Sequence, residues 1–348
     1  MDEMIKFCVL QLHLFNSLED FQQILLDNQR ISQPLRSVPD ENLNHEVQTI
    51  EGFSLRHPNV LRFNEREIRY IRFNGYIETE KRVEPYNEAG ILKDREERIT
   101  PFSSEILVFQ EGNNLYASTL CGVTNGKKLM KLLFPQEQYG IIEAVNHELT
   151  EDILYWLFKH YIDTPDNVLS ENYQLYVTAL KSYMGKTRDN INAVRGEGNR
   201  ISTILGTLAF LFNSEQLKAL RPQIQYETES MLLEITLTGT FKLWNNSYRG
   251  RAFRTLEGKE KENALIIYAF LVILPLIVEC YKESSAANEW SPQLKLDFVK
   301  RLGSEIRQRV ETELQRIEQE SREEDIEEEE LVEDDLESED DLEIDDEE

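Results

Sequence analysis

Glu67-Ile-Arg-Tyr-Ile-Arg-Phe-Asn-Gly-Tyr-Ile-Glu-Thr-Glu-Lys-Arg-Val83 alternates apolar and polar residues on both sides of Asn74-Gly75. Alternation with a period of two is the pattern of a half-buried strand. Asn-Gly accepts the positive φ angles of a type I′ turn, whose twist matches the strands it joins. The stretch is therefore expected to be a β-hairpin. A second hairpin is expected just beyond it, with strands Glu105–Gln110 and Leu115–Cys121 around a turn at Glu111-Gly-Asn-Asn114. The charged segment Asn87–Thr100 between the two is expected to be exposed.

Toward the N-terminus, Ile5–Leu14 is an apolar run of the kind a buried strand shows. Asn16 or Ser17 can cap a following helix with Leu18, Phe21, Ile24 and Leu25 on one face. Gln29–Glu46, with Pro34 and Pro39, reads as a loop. Toward the C-terminus, 126–134 and 150–162 read as helices. The second has Thr150 as N-cap and Glu151 and Asp152 in its first turn, where the helix dipole favours them. Thr164–Asn172, containing Pro165, suggests a domain boundary. Tyr173–Leu180 is strand-like, Asn199 can cap an apolar helix Ile201–Phe212, and Met231–Trp244 has β-propensity. A basic loop, Asn245–Gly258, precedes one long helix and then an amphipathic one at Pro292–Ser321. The expected fold is α+β. It has an N-terminal antiparallel β-rich domain over 1–164, a C-terminal mixed α/β domain with long helices over 165–322, and a disordered acidic tail over 323–348.

The formal charge is −27 over 348 residues, and it is concentrated in the tail. Residues 323–348 hold 19 acids and no base, leaving 46 acids against 38 bases before them. Like-charge repulsion opposes collapse of such a segment. It can act as a solubiliser or as a nucleic-acid mimic that occupies basic clusters. Hydrophobic residues at 40%, with 16 Phe, 14 Tyr and 3 Trp, exclude wholesale disorder and rod-like or disulfide-scaffold classes. The 3 cysteines, Cys8, Cys121 and Cys280, form no CxxC and suit a reducing compartment. With acids where a signal peptide has bases, the chain is expected to be cytoplasmic. Ala264–Val278 is uninterrupted by charge but shorter than the roughly 20 residues a membrane span needs, so it reads as a buried core helix.

Met184-Gly-Lys-Thr187 has Leu180 where a P-loop needs its first glycine, so a nucleotide-triphosphate site is excluded. The surrounding segment nevertheless gathers Lys186, Arg188, Arg195 and Arg200 around Gly185, Gly196 and Gly198, with Lys181 upstream. Glycines let backbone amides approach an anion. The segment is thus a candidate phosphate-contacting loop; the alternative is a solvated basic loop. Lys242, Arg249, Arg251 and Arg254 form a second cluster, interleaved with Trp244, Tyr248 and Phe253, as phosphate contact with base stacking would require. A third row, Arg62, Arg66, Arg69 and Arg72, cannot be one patch because Arg69 and Arg72 fall on opposite faces of a strand. Catalytic and metal-ligand patterns are missing from the sequence: there is no HExxH and no GxSxG. Glu257-Gly-Lys259 matches the Glu-x-Lys of metal-dependent nucleases but lacks a convincing strand. No cofactor is expected.

Ile106-Leu-Val-Phe-Gln-Glu-Gly-Asn-Asn-Leu-Tyr-Ala117, Lys181-Ser-Tyr-Met-Gly-Lys-Thr-Arg-Asp-Asn190 and Cys280-Tyr-Lys282 occur in an order that resembles bacterial phage-exclusion and phage-defence proteins of the lambda RexA and Kiwa KwaB kind. The resemblance covers residues 100–285 and leaves out the helix at 292–321 and the tail. It implies a soluble, oligomeric, DNA-binding defence component that works with a membrane-protein partner. The expected function is accordingly a non-enzymatic, DNA-binding component of an antiviral system, acting as a homo-oligomer with no membrane span of its own. A metal-dependent nuclease and an interaction scaffold for a membrane partner are the alternatives.

Overall fold

The structure, a computed structural model, describes residues 4–134, 140–165, 167–187, 191–198, 205–213 and 216–339, and their side chains except at 205 and 323–339. The strands are β1 (Met4–Leu12), β2 (Arg30–Pro34), β3 (Asn42–Thr49), β4 (Asn59–Phe63), β5 (Arg66–Glu80), β6 (Ile99–Glu111), β7 (Asn114–Thr119), β8 (Ile142–Ala144), β9 (Leu175–Lys186), β10 (Ala193–Glu197), β11 (Gln216–Tyr226), β12 (Glu229–Thr236) and β13 (Thr240–Trp244). The helices are α1 (Leu18–Asp27), α2 (Arg95–Arg98), α3 (Val123–Leu133), α4 (Glu151–Asp163), α5 (Leu205–Phe212), α6 (Gly258–Tyr268), α7 (Leu274–Ala286) and α8 (Pro292–Glu339), with a π-helical turn, Ala269–Ile273, joining α6 to α7.

The chain is an α+β protein built on one antiparallel sheet of 13 strands, in the order β10-β9-β11-β12-β13-β1-β7-β6-β5-β3-β2, with β4 on β5 and β8 on β1. Two compact units are present. The first is Met1–Ile201 with Gln216–Ser291, and the second is Ser202–Glu215 with Pro292–Glu348. This division differs from the expected break after 164, because β1 pairs directly with β13 and carries the sheet from the N-terminal to the C-terminal strands. The second unit contains α5 and α8. The helix α8 runs into the acidic segment as far as Glu339, and the rest of the expected tail lies outside the described residues.

Several local readings are corrected. Asn74-Gly75 is not a turn: β5 runs through it, pairing Asn74 with Glu105 and Gly75 with Val47 and Ser104. Gly75 serves close packing instead, since a Cβ there would lie 2.7 Å from Leu133 Cδ1 of α3 and 3.0 Å from Ile106 Cδ1. The two-residue turn is Asn64-Glu65, with φ of 45° and 60°, between Phe63 and Arg66. Gln29–Glu46 is not a loop but holds β2 and the start of β3; its polar residues fit an edge strand, where one side is solvated. Within Asn87–Thr100, Arg98 is buried, donating to the Lys93 carbonyl and to Glu41. Met231–Trp244 is split by a turn with Gly239 at φ +75° into β12 and β13. The second hairpin, the Ser17 cap of α1 and the Thr150 cap of α4 are as expected.

The two faces of the sheet are covered over different strands. On one face, α1 and α3 pack on Leu10, Leu12, Ile71, Phe73, Ile77 and Ile106. On the other, α4 meets β9 through Phe158 and Tyr183, with ring centroids 6.0 Å apart. Tyr281 of α7 and Trp290 both donate to Asp152 at the start of α4, at 2.7 and 2.6 Å. The segment Ala264–Val278 is the core helix it was expected to be. Among the described residues, one helix, Gly258–Ala286, is long and apolar enough to cross a membrane, and 78% of its most apolar window is buried inside the fold. Pro275 cannot donate to the carbonyl of Leu271 four residues earlier; that carbonyl accepts from Arg66 Nη1 at 3.3 Å, beside the π-helical turn.

Candidate nucleic-acid interface

Side chains alternate along a strand, so the row Leu12, Leu10, Cys8 that faces α1 and α3 continues in β1 as Lys6, which is exposed. Lys6 pairs with Lys242, Lys242 with Glu234, Arg221 with Ser182, and Ser182 with Glu197. One face of the C-terminal strands is therefore polar from β1 to β10, while Ile5, Phe7, Phe241, Leu243, Leu233 and Ile235 are buried on the opposite face.

Arg221 organises this polar face. Its Nε and Nη2 donate to Glu234 Oε2 at 3.1 and 2.9 Å, and its Nη1 donates to Glu197 Oε1 at 2.8 Å. Its guanidinium lies 4.2 Å from the centre of the half-buried Trp244 ring, a cation–π stack. Lys242 Nζ donates to Glu234 Oε1 at 2.5 Å, and Arg195 Nη2 to Glu197 Oε2 at 2.9 Å. Burial raises the carboxyl pKa of Glu234, but the hydrogen bonds from Lys242 and Arg221 outweigh it and hold the group below its usual value. Two carboxylates thus serve three cations, which leaves positive charge in excess.

Further cations extend the excess. Lys186 and Lys218 line a cavity of about 380 Å³ with Met184, Ala193, Thr236 and Thr238. Thr238 also lines the neighbouring depression, which holds Lys6, Thr240 and the start of α3. That helix begins at Gly122 with no side-chain cap and no acid in its first turn. Its first amides point where an anion is favoured. Lys6, Lys186 and Lys218 make no ion pair among the described residues.

The expected site residues are therefore distributed unequally. Lys186, Arg195 and Lys242 come together on one face. Lys181 sits on β9 where the pairing with β11 shifts register, and is half-buried. Arg188 and Arg200 lie outside the described residues. Arg249, Arg251 and Arg254 belong to a loop that folds around the protein's own carboxylate. Glu229 accepts from Tyr248 Oη, from Thr228 Oγ1 at 2.8 Å, and from the Arg251 and Ala252 amides at 3.0 and 3.2 Å. Gly250 admits that carboxylate, because a Cβ there would collide with it. Arg249 Nη1 donates to the Asn246 and Tyr248 carbonyls. Tyr248 and Phe253 are core residues, packed with Phe63 and Tyr268, so of the three interleaved aromatics Trp244 is the one on the polar face. Arg249, Arg251 and Arg254 are all exposed.

Sequence reading missed Lys6, Lys218, Arg221 and the α3 N-terminus. Lys6 was the one cation inside an apolar strand, a usable signal; the others depend on register. In the third basic row, Arg69 pairs with Glu19 and Arg72 with Glu105 and Glu262, on opposite faces as expected. Arg72 is buried, and it is the group that occupies the carboxylates near Glu257-Gly-Lys259: Lys259 Nζ bonds Glu105 Oε1, and Arg72 bonds both Glu105 and Glu262. No cluster of His, Cys, Asp or Glu able to hold a metal ion occurs among the described residues. Comparison with known proteins finds no matching family model and no matching curated protein.

Proposed function

We propose that this chain binds nucleic acid, DNA in the first instance, on the polar face from β1 to β10, as a non-enzymatic component of a bacterial antiviral system in the cytoplasm. The observation that carries the binding is that Lys6, Lys186 and Lys218 have no ion-pair partner among the described residues, beside the paired Arg221, Glu234 and Lys242. Cations without internal partners are available to phosphates, and an uncapped helix end adds amide donors. Trp244 lies among them as a stacking surface. The antiviral setting rests on the sequence resemblance alone.

A homo-oligomer remains part of the proposal, on a different footing. Ala264–Leu274 is buried within one chain and no longer asks for a partner. Instead Val310, Leu314 and Ile317 of α8 are exposed at i, i+4 and i+7, the spacing of a helix-pairing seam. A membrane-protein partner has no such support in the buried Gly258–Ala286 helix.

The test is polarisation of a labelled 20-base-pair duplex titrated at several salt concentrations. Each neutralised phosphate contributes about 0.9 to the slope of log affinity against log salt. Replacing Lys6, Lys186 and Lys218 together with Ala is expected to weaken binding for all sequences alike and to reduce the slope by up to about 2.7. An unchanged slope would refute this face as the binding surface.

A further inference from the structure

We propose that the protein holds a second binding site, for a small organic phosphate monoester, in the cavity at the end of the sheet around His45. This site is separate from the β1–β10 face and stands without it.

His45 is on β3, paired with Ile31 of β2 and Ile77 of β5. Its neighbour two residues on, Val47, and its cross-strand partner Ile77 both belong to the core under α1 and α3. An apolar side chain would complete that row. The imidazole that stands there is 1% exposed, and neither ring nitrogen has a hydrogen-bond partner among the described residues. Buried polar groups are almost always paired, and leaving one unpaired is destabilising. A group retained under that penalty points to a ligand that completes its bonding.

The cavity His45 lines has a volume of about 350 Å³, within the range of small-molecule sites. Its charge is sorted. Arg36, Lys81 and Arg82 line it with exposed side chains. Glu78 and Glu80 line the cavity as well, so three cations face two carboxylates: Glu80 accepts from the Arg36 and Ser37 amides at 3.2 and 2.9 Å. Glu78 accepts from Arg95 Nη2 at 2.6 Å, from the Asn44 amide at 2.8 Å and from Tyr76 Oη at 3.1 Å. Lys81 Nζ donates to a neutral carbonyl, that of Glu96, so its charge is not cancelled there. Lys128 reaches the same wall through Thr79 Oγ1 at 3.2 Å. The cations suit a doubly charged phosphate, for which guanidinium groups offer paired donors. Leu43, Leu132 and Pro34 supply an apolar wall for the organic part, and His45 is the buried group that meets the ester. Burial lowers the imidazole pKa and favours its neutral form, with the Glu78 carboxylate acting in the opposite sense.

The experiment is calorimetric titration of the full chain with glucose 6-phosphate, inorganic phosphate and glucose, for wild type, R36A/R82A and H45L. Saturable binding of the ester is expected, at least tenfold tighter than inorganic phosphate and without detectable binding of glucose. R36A/R82A changes exposed side chains only and is expected to weaken the ester tenfold or more. H45L is expected to weaken it comparably while leaving or raising the thermal midpoint, because Leu belongs in that apolar row. No saturable ester binding at 10 millimolar, or binding indifferent to both variants, would overturn the site. Inorganic phosphate binding as tightly as the ester would overturn the assignment to an organic monoester.

Discussion

Replacing Glu234 with Gln separates what the polar face does for stability from what it does for binding, since the two are expected to move in opposite directions. The Glu234 side chain is 9% exposed, as is that of Arg221, and one of its oxygens takes both Arg221 donors while the other takes Lys242. Glutamine keeps the shape and one acceptor but no charge. Arg221 retains Glu197 at 2.8 Å and the Trp244 ring, so it is not stranded. The loss is then that of a charged hydrogen-bond acceptor rather than a whole buried pair, about 2 kcal/mol. For a unit of this size that lowers the thermal midpoint by roughly 4–8 °C. Lys242, 28% exposed, meanwhile loses its partner and becomes free to meet a phosphate. One added phosphate contact steepens the salt slope by about 0.9, which corresponds to roughly eightfold tighter binding at 0.1 M salt. Differential scanning fluorimetry and salt-dependent polarisation of one E234Q sample read both effects. Weaker binding by a destabilised E234Q protein would refute the reasoning, because the carboxylate would then be positioning the binding groups rather than masking them. An unchanged salt slope would show that Lys242 does not meet phosphate.

G75A is expected to destabilise by about 1–3 kcal/mol through overpacking against Leu133 and Leu129, read by urea unfolding; a neutral result would mean that α3 shifts freely on β5. His147 is half-buried beside Phe270, and desolvation lowers its pKa from 6.5 to about 4. The unfolded chain therefore takes up this proton first, so stability is lost as pH falls from 6.5 to about 4. The loss is roughly 3 kcal/mol at most, and H147Q should flatten that part of the pH–stability curve. The depressed carboxyls Glu105, Glu229 and Glu234 act in the same sense at lower pH: their contribution is present above 4.5 and is lost as pH falls through their folded values, visible as acid unfolding below that point. Ending the chain after Arg322 should tighten nucleic-acid binding most at low salt and leave the thermal midpoint nearly unchanged; equal binding at low salt would reduce the acidic segment to a solubiliser.

Short-range signals in the sequence translated directly into structure wherever the partner was local. Ser17 and Thr150 cap helices because the amide each accepts from is three residues away. The second hairpin was legible for the same reason, its strands being joined by Gly112 at φ +57°. Asn74-Gly75 misled because an identical dipeptide serves two purposes: it permits a turn, and its missing side chain permits a helix to approach. Only the position of Leu133, 58 residues later, distinguishes the two.

By itself the sequence determined the class of the fold, the buried character of Ala264–Val278, the placement of charge in the last residues, and the presence of basic residues in the second half. These follow from composition and from periodicities of two and 3.6 residues, which are properties of neighbouring positions. Tertiary structure alone decided which basic residues act together. Lys6 and Lys242 are 236 positions apart, yet adjacent strands place them side by side. Arg249, close in sequence to Lys242, instead bonds the backbone carbonyls of its own exposed loop. The isolation of His45 is likewise a tertiary property, since its lack of partners depends on three strands and a helix meeting at one corner of the sheet. Electrostatic grouping depends on distance in space, and in an antiparallel sheet that distance is set by strand order and register, which no local pattern encodes.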